Sequence, residues 1–126
     1  MIFGIGTDIV EYARIEQLWV RYGARFAERV LSENEMPDYL SSSNAARFLA
    51  KRYAAKEAFA KAAGSGLRAP VSLRRISVTH DGLGKPVLQF DAVLRNHLLQ
   101  LGISGHHVSI SDERNVIVAF VVLETA

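Results

Sequence analysis

The sequence contains no cysteine. That excludes disulfides and thiolate metal centres and suits a reducing, cytoplasmic setting. No run of about 18 apolar residues occurs, so no membrane-spanning helix is expected. The opening MIFGIGTDIV has no basic stretch ahead of its apolar residues, and an aspartate closes the run, which argues against a signal peptide. Charge of one sign is also scarce: 15 Lys and Arg against 13 Asp and Glu leave a net charge of +2. The chain is therefore no bulk polycation, and no nucleic-acid partner is expected. The glycines do not form a G-x-x-x-x-G-K-[ST] phosphate loop or a G-x-G-x-x-G dinucleotide fingerprint. No nucleophile elbow supports a Ser-His-Asp hydrolase. His106 and His107 are neighbours on an expected strand and so point to opposite faces, which speaks against paired zinc ligation. Linkers, low-complexity segments and long repeats are absent, and 126 residues, 49% of them apolar, read as one domain, residues 1–126.

What is present reads as α+β, a small antiparallel sheet with helices packed on it. Residues 2–8 predict a short buried strand whose Gly4 and Gly6 mark close backbone approach or a bend. Residues 12–22 predict a helix broken at Gly23, with further helical turns over 24–31. Ser32 and Glu35 have capping-box spacing, so a short helix is expected from Glu33. Residues 45–63 give the clearest helix, rich in Ala, Lys, Arg and Glu, preceded by the polar loop 41–44 and followed by Gly64 in a C-cap position. Residues 71–79 and 86–90 predict a hairpin, with turn chemistry between them. Asp91 caps a helix to Leu101 that has Val93, Leu94, His97, Leu98 and Leu101 on one face. A second hairpin pairs the strand around Val108 and Ile110 with residues 116–123.

Two groups of residues have chemistry to offer. Asp8 follows Ile5-Gly6-Thr7 at the end of the first expected strand, where it either caps the next helix or faces a cleft. On the long helix, Arg47, Lys51, Arg52, Lys56 and Lys61 surround a single acid, Glu57. Glu57 and Lys61 lie four apart on one face, which is equally the spacing of an ordinary surface salt bridge. Two carboxylates and several cations suit a pyrophosphate. Mg²⁺ is a hard cation held by one or two carboxylates with phosphate and water, and Lys and Arg neutralise the remaining charge.

The segments Gly4-Ile5-Gly6-Thr7-Asp8-Ile9-Val10-Glu11 and Phe48 to Ala62, centred on Lys56-Glu57-Ala58-Phe59-Ala60-Lys61, resemble two motifs of the bacterial holo-(acyl-carrier-protein) synthases, the small phosphopantetheinyl transferases. Gly64-Ser65-Gly66, Gly84-Lys85-Pro86 and His107 to Ser111 extend the resemblance, which runs from about residue 2 to residue 123. Ala63 and Ser111-Asp112-Glu113 depart from the common pattern without touching Asp8 or Glu57. The resemblance implies transfer of the 4′-phosphopantetheine arm of coenzyme A to a serine of an acyl carrier protein for fatty acid biosynthesis, with adenosine 3′,5′-bisphosphate leaving. It assigns Asp8 and Glu57 to Mg²⁺ and Lys61 to the pyrophosphate. Arg52 and His107 are assigned to coenzyme A phosphates, and Gly64, Gly84, Lys85 and Pro86 to the nucleotide pocket. Glu57, a metal-bound water or Glu35 are the alternatives for removing the serine proton. A homotrimer with active sites between subunits is also implied.

Within residues 14–29, Arg14, Arg21, Arg25 and Arg29 recur at steps of seven, four and four, which keep one face of a continuous helix. The same resemblance makes this face the dock for the small, acidic, helical carrier, with Leu18 and Phe26 as apolar anchors. Two rival classes remain at this level. One is a non-catalytic module presenting arginines to an acidic partner. The other is a magnesium-dependent nucleotide hydrolase.

Overall fold

A computed structural model describes residues 1–126. Strand β1 (Ile2–Glu11) lies antiparallel to β5 (Val116–Thr125), and β5 pairs in turn with β4 (Ile103–Asp112), giving the order β1-β5-β4. β1 runs three residues beyond its expected end because its register with β5 continues to Glu11 opposite Val116. β2 (Ile76–His80) and β3 (Pro86–Phe90) form a separate two-stranded sheet. The chain thus has two antiparallel sheets where one was expected. The first expected hairpin strand also starts late. Val71 N–H donates to Arg68 O at 2.8 Å and Arg75 N–H to Ser72 O at 3.2 Å, so these donors are used in local turns, with a 3-10 turn over Leu73–Arg75.

Five helices follow the expected signals closely. They are α1 (Tyr12–Tyr22), α2 (Ala24–Val30), α3 (Met36–Leu40), α4 (Ala45–Ala63) and α5 (Ala92–Gln100). Asn44 Oδ1 accepts from Arg47 N–H at 3.1 Å at the start of α4, and Asp91 Oδ1 from Leu94 N–H at 2.9 Å at the start of α5. The Ser32–Glu35 capping box is formed. Gly23, at φ +55°, ends α1 with its N–H on Trp19 O, so the arginine segment is two helices rather than one. On α5 only Leu94 and Leu98 are buried; Val93 and Leu101 of the expected apolar face are exposed.

Helix α4 is the centre of the molecule. Its alanines let neighbours approach from several sides, and Ala46, Ala50, Ala54, Ala55, Ala58 and Ala62 are all buried. The closest approach is to β1. A Cβ on Gly6 would stand 2.0 Å from Ala58 O, and one on Gly4 would stand 2.1 Å from Ala62 O. Strand and helix backbones therefore touch there, which any side chain would prevent. Alternation along the large sheet does the rest. Val10, Val108, Ile117, Ala119, Val121 and Leu123 face the core. The other face carries Ile5, Ile9 and Phe120, which remain 58%, 68% and 43% exposed.

Candidate active site

The β1–α4 contact sets the first cluster. Asp8 lies opposite Ala119 within β1, on the side facing α4. It is not a helix cap, because Glu11 occupies that position before α1 and makes no side-chain cap bond. Lys61 reaches across from α4. Its Nζ donates to Asp8 Oδ1 at 3.1 Å and to Thr7 O at 2.9 Å. The ion pair that four-residue spacing allows with Glu57 is absent; Lys61 pairs with Asp8. The second carboxylate oxygen, Asp8 Oδ2, is buried and has no hydrogen-bond partner. An orphaned carboxylate oxygen in a protein interior is costly and calls for a partner. Glu57 stands one turn before Lys61, partly buried. Tyr53, one turn earlier still, has its hydroxyl pKa raised, first by burial and then by the neighbouring Glu57 carboxylate, with Asp8 also contributing. No group of three or more His, Asp or Glu side chains gathers anywhere. A cation at this place would have two protein carboxylates, a normal number for Mg²⁺.

The five cations of α4 do not act as one phosphate-binding group. Lys56 is fully buried. Its ammonium donates to Glu35 Oε1 and, at 2.7 Å, to Val30 O. Burial is the main reason its pKa falls from the ordinary 10.5 to about 8. Glu35, expected as a possible proton acceptor, is itself 2% exposed. It also accepts Ser32 N–H and Val78 N–H, each at 2.9 Å. With its oxygens occupied and no path to solvent, it serves as the counter-ion of a buried network. Arg47 and Lys51 both pair with Asp112.

Arg52 joins the same network and defines a second cluster. Its Nε lies 3.2 Å from Glu35 Oε2, close enough to pair charges though off the line of a hydrogen bond. Its guanidinium covers the Phe48 ring at 4.3 Å. Arg52 lines an open hollow of about 580 Å³ with Lys51, His80, Gly84, Pro86 and Asp38. His80 is held below its usual range, first by partial burial and then by the Arg52 and Lys51 cations. Gly84 and Pro86 are thus brought to Arg52, as expected. Lys85 is exposed in the turn between them, which Asp81 closes by accepting Leu83 N–H and Lys85 N–H.

Gly64 is not part of that hollow. It caps α4 in the left-handed region, at φ +82°, twelve residues beyond Arg52 or about 18 Å along the helix. His107 is also apart. It pairs with Val122, opposite Ile5, on the sheet face that points away from α4, and its Nε2 lies 2.5 Å from Glu124 Oε1. The adjacent His106 faces the other way, edge-on to Phe90 at 5.0 Å. Within one chain, the expected site residues therefore occupy several places: Asp8, Glu57 and Lys61; Arg52, Gly84 and Pro86; and, separately, Gly64 and His107.

A third place gathers much of the expected docking set. Leu18, Arg25, Phe26 and Arg29 line a largely apolar hollow with Tyr22, Tyr53 and Leu73. Arg14 and Arg21 are exposed on α1 outside it, and Arg21 covers the Tyr22 ring at 5.3 Å. Tyr53 links this hollow to the Asp8–Glu57 cluster. Sequence reading passed over Tyr53, although its position four residues before Glu57 was a usable signal.

The sequence pattern of the 4′-phosphopantetheinyl transferase superfamily matches residues 4–121. A holo-[acyl-carrier-protein] synthase of Nitrosospira multiformis is 56% identical over 98% of this chain and 99% of its own. The crystal structure of the synthase from Neisseria meningitidis superposes with a TM-score of 0.96 at 46% identity, covering 99% of this chain and 100% of that one. A synthase of Bacillus anthracis, solved in complex with CoA (3′,5′-ADP), gives 0.84 at 38% identity, covering 100% and 99%. The chain belongs to the 4′-phosphopantetheinyl transferase superfamily, in its family of holo-[acyl-carrier-protein] synthases. No helix is long and apolar enough to cross a membrane.

Proposed function

We propose that this chain transfers the 4′-phosphopantetheine arm of coenzyme A to a serine of an acyl carrier protein, giving the holo-carrier for fatty acid biosynthesis. The observation that carries this reading is the match to synthases so named over 98% of the chain. The β1–α4 cluster supplies suitable chemistry. The serine oxygen attacks the phosphorus that bears the pantetheine arm. A bond to that phosphorus forms, the pyrophosphate P–O bond breaks, and adenosine 3′,5′-bisphosphate leaves. Such a reaction needs positioning and charge neutralisation more than covalent help.

Lys61 presents its ammonium, already oriented by Asp8 and Thr7, to the pyrophosphate. Asp8 and Glu57 are the residues that would hold Mg²⁺, and the buried, unpartnered Asp8 Oδ2 supports that assignment. When bound, the ion would neutralise charge on the pyrophosphate oxygens. Glu35 is withdrawn as proton acceptor because it is enclosed and fully partnered. Glu57 or a water remains for that role. Arg52, with Gly84 to Pro86, meets the nucleotide phosphates; Gly64, at the far end of α4, is not brought to them within one chain.

The same reading includes a homotrimer. The apolar face bearing Ile5, Ile9 and Phe120 needs cover. His107 lies on that face, so in this arrangement it reaches coenzyme A at a subunit junction rather than within one chain. Arg14, Leu18, Arg21, Arg25, Phe26 and Arg29 receive the carrier. The reading treats residues 1–126 as one transferase domain working in the cytoplasm.

The test is direct. The protein is incubated with Mg²⁺, coenzyme A and an apo-carrier, and the carrier is weighed by mass spectrometry. The carrier is expected to gain one phosphopantetheine. Asp8→Ala and Glu57→Ala are expected to abolish the gain while keeping wild-type circular dichroism. An unmodified carrier alongside cleaved coenzyme A would replace transfer by hydrolysis. Full transfer by either variant would remove the metal assignment.

A further inference from the structure

The basic surface around the docking hollow does not end with α2. Leu73 forms one wall of that hollow, beside Arg25, Phe26 and Arg29. It belongs to the 3-10 turn Leu73–Arg75, which also carries two arginines. Arg74 and Arg75 line an adjoining polar groove with Ser72, Asn34 and Gln89. The two differ in what they face. Arg75 is tied to Asp91 at 3.1 Å. Arg74 is exposed and enters no ion pair within the chain. Arg14, Arg21, Arg25 and Arg29 are likewise free of internal acids, whereas Arg47, Lys51, Arg52, Lys56 and Lys61 of α4 each face one. Unpaired arginines around an apolar hollow have the composition of an interface, with a desolvated centre and a charged rim. Glu33 and Asp91 are the acids on the polar groove, and Asp91 is taken by Arg75.

We propose that Leu73 and Arg74 belong to the carrier-docking surface, so that the acidic carrier spans the hollow from α1 and α2 to the turn before β2. The proposal rests on the docking reading of Arg25 and Arg29. A helix with acidic flanks and one apolar side fits this surface. Its apolar side covers Leu18, Phe26 and Leu73, one flank meets Arg25 and Arg29, and the other meets Arg74. Arg74 is a rim charge, so it acts by attraction at a distance, which speeds encounter and is screened by salt.

Steady-state kinetics on the full chain test this, with carrier and coenzyme A varied separately at low and high salt. The variants are Arg74→Ala, Arg74→Glu and Arg25→Ala, with Arg95→Ala, an exposed arginine on α5, as the charge-matched control. Arg74→Ala is expected to raise the carrier KM about two- to fivefold at low salt, as for loss of one exposed charge pair. Arg74→Glu raises it further. The effect shrinks at high salt, and the coenzyme A KM is unchanged. If Arg25→Ala raises the carrier KM while both Arg74 variants match Arg95→Ala, docking on α2 stands and its extension to Arg74 falls. If Arg25→Ala and the Arg74 variants all match the control, the docking reading falls and the extension with it.

Discussion

Replacing Lys56 by methionine keeps the length of the side chain and removes only its charge and donors. The ammonium sits in a site with no solvent, between Glu35 and the carbonyl of Val30. Without it, Val30 O loses its side-chain donor and the Glu35 carboxylate, 2% exposed, keeps only Arg52 as a counter-charge. Breaking one partner of a buried ion pair typically costs about 3–5 kcal/mol, because the surviving charge stays buried. Against a domain stability of roughly 5–15 kcal/mol this is a large fraction. For a chain of this size it corresponds to roughly 10–20 °C in Tm. Urea denaturation of both proteins at equal concentration, followed by circular dichroism, gives the difference directly. Adding Glu35→Gln to Lys56→Met should recover part of the loss by removing the stranded charge. A Lys56→Met cost below about 1 kcal/mol would refute the claim that this pair is buried and mutually dependent. No recovery in the double variant would refute the stranded-charge explanation.

Further outcomes are expected. The folded pKa of Lys56, about 8, lies below its ordinary 10.5, so between those values the unfolded chain binds more protons and the Lys56 contribution to stability rises with pH. The deficit of Lys56→Met should therefore widen between pH 7.5 and 9.5, and a constant or narrowing deficit in urea titrations counts against the shift. Gly6→Ala places a Cβ 2.0 Å from Ala58 O and should cost more than about 3 kcal/mol or prevent folding; a thermal melt like wild type would contradict the close contact. Lys61→Ala should lower kcat more than it alters the coenzyme A KM, since a cation on the reacting pyrophosphate gains most in the transition state; a raised KM at constant kcat reassigns it to uniform binding. If the proposed trimer forms through the face bearing Ile9 and Phe120, Ile9→Lys with Phe120→Lys should yield monomers by sedimentation and suppress transfer; an assembly unchanged by the double variant would remove this face from the proposed interface.

Much of the architecture was legible without coordinates because its signals are local. Asn44, Asp91, Gly64 and the Ser32–Glu35 box act within a few residues of the helix ends they define, so the sequence reads them directly. Gly4 and Gly6 signalled either a close approach or a bend, and the structure decides for the close approach, to the Ala58–Ala62 turn of α4. The segments that carry Asp8, Glu57 and Lys61 were recognisable with the later motifs as an ordered set that resembles a family. Residue order could not say which cations of α4 were already matched. Lys56 meets Glu35 across 21 residues, Lys61 meets Asp8 across 53, and Arg47 meets Asp112 across 65. A lysine in a helical heptad looks the same whether it ends in water or in the core. Its fate depends on which distant carboxylate the fold delivers, and on whether the desolvation is compensated there. The same holds for His107, which alternation placed on one of two faces without saying which one packs on α4. Local periodicity and capping wrote the elements into the sequence; long-range packing chose which charges are structural and which stay free to meet phosphate or a partner.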